Sequence, residues 1–330
     1  MSDAKNHWVT ASDVARLAGV SRSAVSRTFT PGASVSEKTR QRVEAAAAEL
    51  GYQVNIIARS MITGSSNFIG LVTAGFDNPF RSKLLAPLVH HLALQGFMPL
   101  LLNADDPKQL APRLRELLSY HVAGVILTSG APPLSLAEEY LARKIPVTLI
   151  NRQVELSGAD QVCSDNHQGA RLAARQLMQH RVTCPGFIGE SASFSSLQRQ
   201  QAFESQFDAQ RQPMARVICP HGGYQAGWDA AAALLAQQPH LDGLFCATDM
   251  LAMGAMDFMR QQRPGQQLPL VGFDDIPQSA FAPYQLTTLR QDTDALASTA
   301  VALLVSRIRH FDQPAVRKSV PVELIVRQSA

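Results

Sequence analysis

From Phe68 onward, short apolar runs alternate with longer stretches in which apolar residues return at three- and four-residue spacing. The runs Phe68–Thr73, Met98–Asn103, Gly124–Thr128 and Val147–Ile150 read as buried strands. So do Gly186–Gly189, Arg216–Cys219, Gly243–Ala247 and Leu270–Phe273, with Ser319–Val326 as the last strand. Between them Leu84–Leu94, Leu110–Tyr120, Arg171–His180, Tyr224–Leu235 and Leu251–Arg260 read as helices. Strand–helix alternation builds parallel sheets covered on both faces. Roughly eight strands exceed what one compact sheet of this kind usually carries, so two sheets flanking a cleft are expected.

The segment before Phe68 has no strand pattern. Thr10 with Asp13 three residues later forms a capping-box start, and Val14, Leu17 and Ala18 follow at helical spacing. Gly19 supplies a permissive turn, and Ser21 caps a second helix with Val25 inward and Arg22, Ser23, Ser26 and Arg27 outward. A third helix runs from Ser36 as N-cap through Glu37–Leu50 and ends at Gly51, with Val43, Ala46, Ala47 and Leu50 closing a core. Two short helices crossing at a tight turn make a helix-turn-helix. The plain alternative is a helical hairpin. The polar outer face of the second helix argues against it, because that face suits base edges in a major groove. Arg27 can grip a guanine bidentately, and Arg22 can do the same or hold phosphate. Ser23 is ambiguous, whereas Thr10, Ser21 and Ser26 suit capping or phosphate contact better than base reading.

Charge supports this division. Residues 1–64 carry eight basic and five acidic side chains, and this excess of +3 is the net charge of the whole 330-residue chain. The composition, 46% hydrophobic and 17% charged, is that of a globular protein. Apolar runs stay short of the roughly 18 residues needed to span a bilayer, and the N-terminus lacks an apolar h-region, so a cytoplasmic protein without membrane contact is expected. Cys163, Cys184, Cys219 and Cys246 lack metal-ligand spacing and read as free thiols.

Between head and body, Ile56, Ile57, Ser60 and Met61 can line one face of a short helix that nothing nearby would bury. So short a helix should fold only against DNA or a copy of itself. The chain here resembles the lactose-repressor/galactose-repressor (LacI/GalR) family. The resemblance rests on Val9–Arg27, Glu49–Tyr52, Asn55, Ala58–Met61, Phe68–Val72, Asn78–Phe80, Val271–Asp275 and Leu286–Thr288, which run in family order over nearly the whole chain. It implies an all-α helix-turn-helix head on an α/β periplasmic-binding-protein-like body of two doubly wound parallel-sheet subdomains. The implied boundaries are 1–53 for the head and 54–66 for a hinge helix and linker. The body would span 67–330, with one subdomain about 67–163 and 292–320 and the other about 164–291 and 321–330. In that family, paired hinge helices push a leucine into the minor groove. Met61 stands at the matching position, still an apolar wedge, with Asn55, Ala58 and Arg59 on the same DNA-facing segment.

Ligands bind such bodies beyond the carboxyl ends of the strands. Asn78, Phe80, Thr128, Asn151, Arg152, Arg199, Thr248, Asp249 and Asp274 fall at or after those ends and suit a small polyol. By resemblance, Arg199 and Asp274 match the family's main polar effector contacts, and Asp165 and Gln291 lie near the crossings between subdomains. Asp249 can equally be read as a helix cap. Two departures stand out. Gly222 occupies a place where many relatives have an aromatic, and Arg81 replaces a second aromatic after Asn78–Phe80. Losing an aromatic and gaining Arg81 and His221 suits an anionic effector such as a sugar acid or sugar phosphate.

Enzyme motifs are absent: there is no G-x-G-x-x-G, no G-x-x-x-x-G-K and no H-E-x-x-H, and Ser191 lacks the closing glycine of a nucleophile elbow. Neither cofactor nor metal is expected. The expectation is a ligand-responsive regulator, mostly a repressor in this family, that binds a pseudo-palindromic operator as a homodimer. No heptad repeat trails the body, which disfavours a zippered tetramer. A sugar-processing enzyme fused to a DNA-binding head is the alternative. A periplasmic solute-binding protein conflicts with the head.

Overall fold

The computed structural model describes residues 8–30, 32–54, 66–128, 134–152, 154, 156–191, 193–208 and 214–330. The chain divides into two compact units, Met1–Ser66 and Asn67–Ala330. The expected hinge residues Asn55, Ala58, Arg59 and Met61 lie outside the described residues.

In the first unit, α1 spans Ala11–Ala18, α2 Arg22–Thr28 and α3 Glu37–Leu50. Each boundary has a chemical cause. Thr10 and Asp13 form a reciprocal capping box, Ser21 accepts from the Ala24 N–H, and Ser36 from that of Thr39. Gly19 and Gly51 end their helices in the left-handed conformation, at φ +61° and +64°. Val14, Ala15, Ala18, Val25, Val43, Ala46 and Ala47 form the core, with Leu50 and Tyr52 packed at its edge. Leu17, expected inside, is 46% exposed; the small Ala15 and Ala18 take the buried face, letting the helices approach closely. Two arginines close the turns: Arg42 donates to the carbonyls of Ala18 and Gly19, and Arg40 to that of Thr28 at 3.1 Å.

The second unit alternates strand and helix. Its strands and helices begin with β1 Phe68–Thr73, α4 Pro79–Leu94, β2 Met98–Asn103, α5 Pro107–Ser119 and β3 Gly124–Leu127. Then come α6 Leu134–Ala142, β4 Val147–Ile150, β5 Asp160–Ser164, α7 Asn166–Gln179, β6 Pro185–Glu190 and α8 Phe194–Asp208. β7 Ala215–Cys219, α9 Tyr224–Gln237, β8 Gly243–Cys246, α10 Asp249–Gln262 and β9 Leu270–Asp274 follow. The chain continues through β10 Thr287–Gln291, α11 Thr293–Arg309, β11 Arg317–Val320 and β12 Val322–Ile325. Two six-stranded sheets result, ordered β11-β5-β4-β3-β1-β2 and β12-β10-β9-β8-β6-β7. The pairs are parallel except β12, which runs antiparallel to β10.

The single last strand expected at Ser319–Val326 is two strands in different sheets. Pro321 separates them, because proline cannot donate to a ladder. Helices α6, α8, which carries Arg199, and α11 add to the expected helices. The core of the second sheet centres on Phe187, Phe203, Phe207 and Phe245, with ring centroids 5.0–6.2 Å apart. Helices α9 and α10 cross through Gly227 and Gly254, where a Cβ on Gly254 would lie 2.8 Å from the Trp228 backbone nitrogen. The four cysteines are free thiols.

Candidate functional site

On the head, α2 presents Ser21, Arg22, Ser23, Ser26 and Arg27 to solvent along one face. Val25 and Thr28 are buried on the other and fix the helix to its neighbours. The Ser21 hydroxyl caps the helix and sits 2.8 Å from that of Ser23, so both hydroxyls are engaged at the N-terminus. The Thr10 hydroxyl donates to Asp13 at 2.7 Å. Arg22 and Arg27 have no hydrogen-bond or ion-pair partner among the described residues. The face therefore offers two uncommitted guanidiniums, Arg22 at the start of the helix and Arg27 in its last turn, suited to phosphates and guanine edges.

In the body, a cleft of about 670 Å³ opens between the two sheets at the carboxyl ends of their strands. Ten of the expected effector residues line it: Asn78, Phe80, Arg81, Asn151, Arg152, Arg199, His221, Thr248, Asp274 and Gln291. Thr128 and Asp249 do not. The Thr128 hydroxyl turns to the neighbouring strand and donates to Thr73 Oγ1 at 2.8 Å. The Asp249 carboxylate points under the second sheet, accepting from the Thr288 hydroxyl at 2.5 Å and the Ile276 N–H at 3.0 Å. Asp165 caps α7 by accepting from the Gln168 N–H, away from the cleft.

Arg199 and Asp274 meet on the floor. Asp274 ends β9 with a φ of +123°, and Arg199 comes from the second turn of α8. Both are buried and approach to 3.8 Å. Arg199 Nε donates to Asn166 Oδ1 at 2.8 Å and Nη1 to the Ala247 carbonyl at 2.6 Å. Its guanidinium lies 3.4 Å from the Phe273 ring centroid. Burial pulls the Arg199 pKa down to about 10, while Asp274, Glu190 and Asp249 oppose that shift. Burial pushes Asp274 up to about 8, with Arg199 opposing and Asp249 and Glu190 adding. The proton on Asp274 is therefore held far more tightly than on an exposed carboxylate.

The Gln291 amide bridges the two halves. Gln291, at the end of β10, accepts through Oε1 from Asn151 Nδ2 at 2.9 Å and from Ser164 Oγ at 2.6 Å. Its Nε2 donates to Asp274 Oδ1 at 2.6 Å. Asn151, at φ +51°, also accepts at Oδ1 from the Ser164 N–H, so its geometry is fixed from both sides.

Asn78 caps α4, accepting from the Phe80 and Arg81 N–H groups at 3.0 and 3.2 Å. Arg81 folds back onto its own loop and donates to the Ala74 carbonyl at 3.1 Å. Thr248 caps α10. Sequence reasoning missed Glu190, Asp77, Asp105, Ser195 and Phe194, which also line the cleft. Ser195 Oγ donates across it to the Asn151 carbonyl at 3.3 Å. Their positions after strand ends were the available signal. Among the described residues no group of three His, Cys, Asp or Glu is arranged to hold a metal ion, and no helix is long and apolar enough to cross a membrane.

A helix-turn-helix with an open basic face, joined in one chain to a polar cleft between two parallel sheets, defines a DNA-binding regulator with a small-molecule pocket. Two family models match: bacterial regulatory proteins of the lacI family over residues 10–55, and a periplasmic-binding-protein-like domain over 174–330. The ribose operon repressor of Halalkalibacterium halodurans is 30% identical over 322 residues, covering 96% of each chain. The sucrose operon repressor of Pediococcus pentosaceus is 31% identical over 326 residues, covering 95% of this chain and 97% of its own. The Lac repressor dimer bound to operator and the anti-inducer ONPF superposes with a TM-score of 0.87 at 25% identity, over 98% of this chain and 99% of that one. The chain belongs to the lacI family of bacterial regulatory proteins.

Proposed function

We propose that this regulator is a repressor that binds a pseudo-palindromic operator as a homodimer, with its DNA affinity set by a sugar in the body cleft. The observation that supports this best is the Arg199–Asp274–Gln291 constellation. It offers fixed donors and acceptors to hydroxyls, and Gln291 bonds to both halves of the body. A ligand that engages the Gln291 oxygen therefore competes with Asn151 and Ser164, the bonds between the halves, which couples occupancy to their mutual orientation. Relatives that match along nearly the whole chain include repressors of ribose and sucrose operons, alongside PurR transcriptional repressors.

Arg22 and Arg27 act at the operator from α2, with Ser23 and Ser26 beside them and Thr10 and Ser21 capping. Met61 acts as a wedge in the minor groove, Arg59 reaches minor-groove edges or phosphate, and Asn55 and Ala58 belong to the same DNA-binding segment. The body is bounded near residue 67 and its cleft binds without chemical conversion. The protein works where its operator is, in the cytoplasm.

The test is selection of random duplexes by the full chain, with and without a panel of sugars. We expect enrichment of a two-fold symmetric sequence whose retention changes with one sugar. Indiscriminate retention under every condition overturns the proposal. Turnover of a bound sugar would establish the enzyme reading.

A further inference from the structure

Gly222 leaves a space in the cleft wall, and the structure shows what fills it. A Cβ built on Gly222 would lie 2.6 Å from Glu190 Cδ, so no side chain larger than hydrogen can stand there with Glu190 in place. Glu190 is the last residue of β6, and Gly222 follows the end of the adjacent parallel strand β7. Both line the cleft. The Glu190 carboxylate has no hydrogen-bond or ion-pair partner among the described residues, so its acceptor oxygens are open to a ligand.

The surroundings define the ligand's chemistry. Glu190 and Asp274 line the cleft beside Arg199, whereas Asp249 acts on that guanidinium from under the sheet. Among the described residues no hydrogen bond or ion pair ties the other cations lining the cleft to Glu190. Arg81 is committed to its own loop at the Ala74 carbonyl, and His221 sits on the exposed rim. Arg152 follows β4 of the opposite sheet.

We propose that Glu190 is a specificity-determining residue of the effector cleft, selecting ligands that present N–H or O–H donors at that end and rejecting those that present an anion. A carboxylate accepts two hydroxyls or one ammonium well, whereas a carboxylate or phosphate on the ligand meets like charge. Neutral sugars and amino sugars share the accepted chemistry; sugar acids and sugar phosphates are excluded. This inference rests on the cleft being the sugar site.

The experiment measures thermal shift and calorimetric affinity of the full chain with four probes: D-ribose, D-glucosamine, D-glucuronate and ribose 5-phosphate. Wild type, Glu190→Gln and Arg199→Ala are compared. We expect a neutral or amino sugar to bind wild type best. Glu190→Gln should keep the unliganded melting temperature, weaken that sugar at least tenfold and strengthen an anionic probe. Preference for ribose over glucosamine assigns a hydroxyl pair to Glu190, and the reverse assigns an ammonium. An anionic probe that binds wild type best, or affinities unchanged in Glu190→Gln, overturns the role of Glu190 while leaving the sugar site standing if Arg199→Ala abolishes binding. No binding by any probe to wild type overturns both.

Discussion

The Arg199–Asp274 pair allows its two halves to be tested against each other. Replacing Arg199 with Met keeps much of the volume over Phe273 but removes the donors to Asn166 and Ala247 and the charge 3.8 Å from Asp274. Removing one partner of a buried ion pair costs about 3–5 kcal/mol when the other stays charged. Asp274 can escape that cost by holding its proton. Its folded pKa, pushed by burial to about 8, lies above its unfolded value. The native state therefore binds the proton more tightly, and stability falls as pH rises through that pKa. Loss of Arg199 raises the pKa further. The cost of Arg199→Met should thus be about 1–2 kcal/mol at pH 6, from lost hydrogen bonds alone, and approach about 3–5 kcal/mol above pH 8. Asp274→Asn removes the titrating group and leaves Arg199 on Asn166 and Ala247. It should change unliganded stability by less than about 1 kcal/mol, flatten the pH profile and abolish effector binding. Urea unfolding followed by fluorescence of Trp228, which packs edge-on against Phe258 at 5.5 Å, reads the relevant half of the body. A pH-independent cost for Arg199→Met, or an equal cost for Asp274→Asn, would refute this account of the pair.

Arg27→Ala should leave folding unchanged, because the side chain is exposed and unpaired among the described residues, yet cost about 1–3 kcal/mol of operator affinity. Gel shifts on an operator set varied one base at a time would show relaxed discrimination at one position per half-site; equal loss on all sequences would make it a phosphate contact. Gly254→Ala should destabilise the body by at least about 1–3 kcal/mol through overpacking at the α9–α10 crossing, and a melting temperature equal to that of the parent would contradict the close approach.

Much of the architecture is legible because buried parallel strands are written as apolar runs between turn residues. Phe68–Thr73 and Val147–Ile150 match the observed strands end to end for this reason, and Met98–Asn103 matches too although β2, expected to be buried, is a half-exposed edge strand. The head is equally readable, since Thr10, Ser21, Ser36, Gly19 and Gly51 carry local chemistry that needs no distant partner. The exceptions depend on tertiary context. Pro321 announces a break, but not that the chain changes sheets there. The strand-end rule brings Thr128 and Asp249 near the cleft without saying which way their side chains turn, and contacts with Thr73 and Thr288 decide that. Glu190 was hidden because its significance lies in a hydrogen atom at Gly222, thirty-two positions along the chain and visible only once β6 and β7 lie side by side. The buried spacing of Leu296, Ala297, Ala300, Val301 and Leu304 in α11, by contrast, was present in the sequence.

Gln291 has a mechanical consequence. Its oxygen is claimed by Asn151 and Ser164 in one half and its nitrogen by Asp274 in the other, within a few bonds of a chain crossing. Neither half can swivel about that crossing without straining the contacts to Asn151 and Ser164, so the amide works as a shear pin held in its own half by Asp274. A sugar hydroxyl that takes the Gln291 oxygen from Asn151 and Ser164 withdraws the pin, whereas one that only replaces Gln291 as donor to Asp274 breaks a bond inside one half and leaves the pin in place.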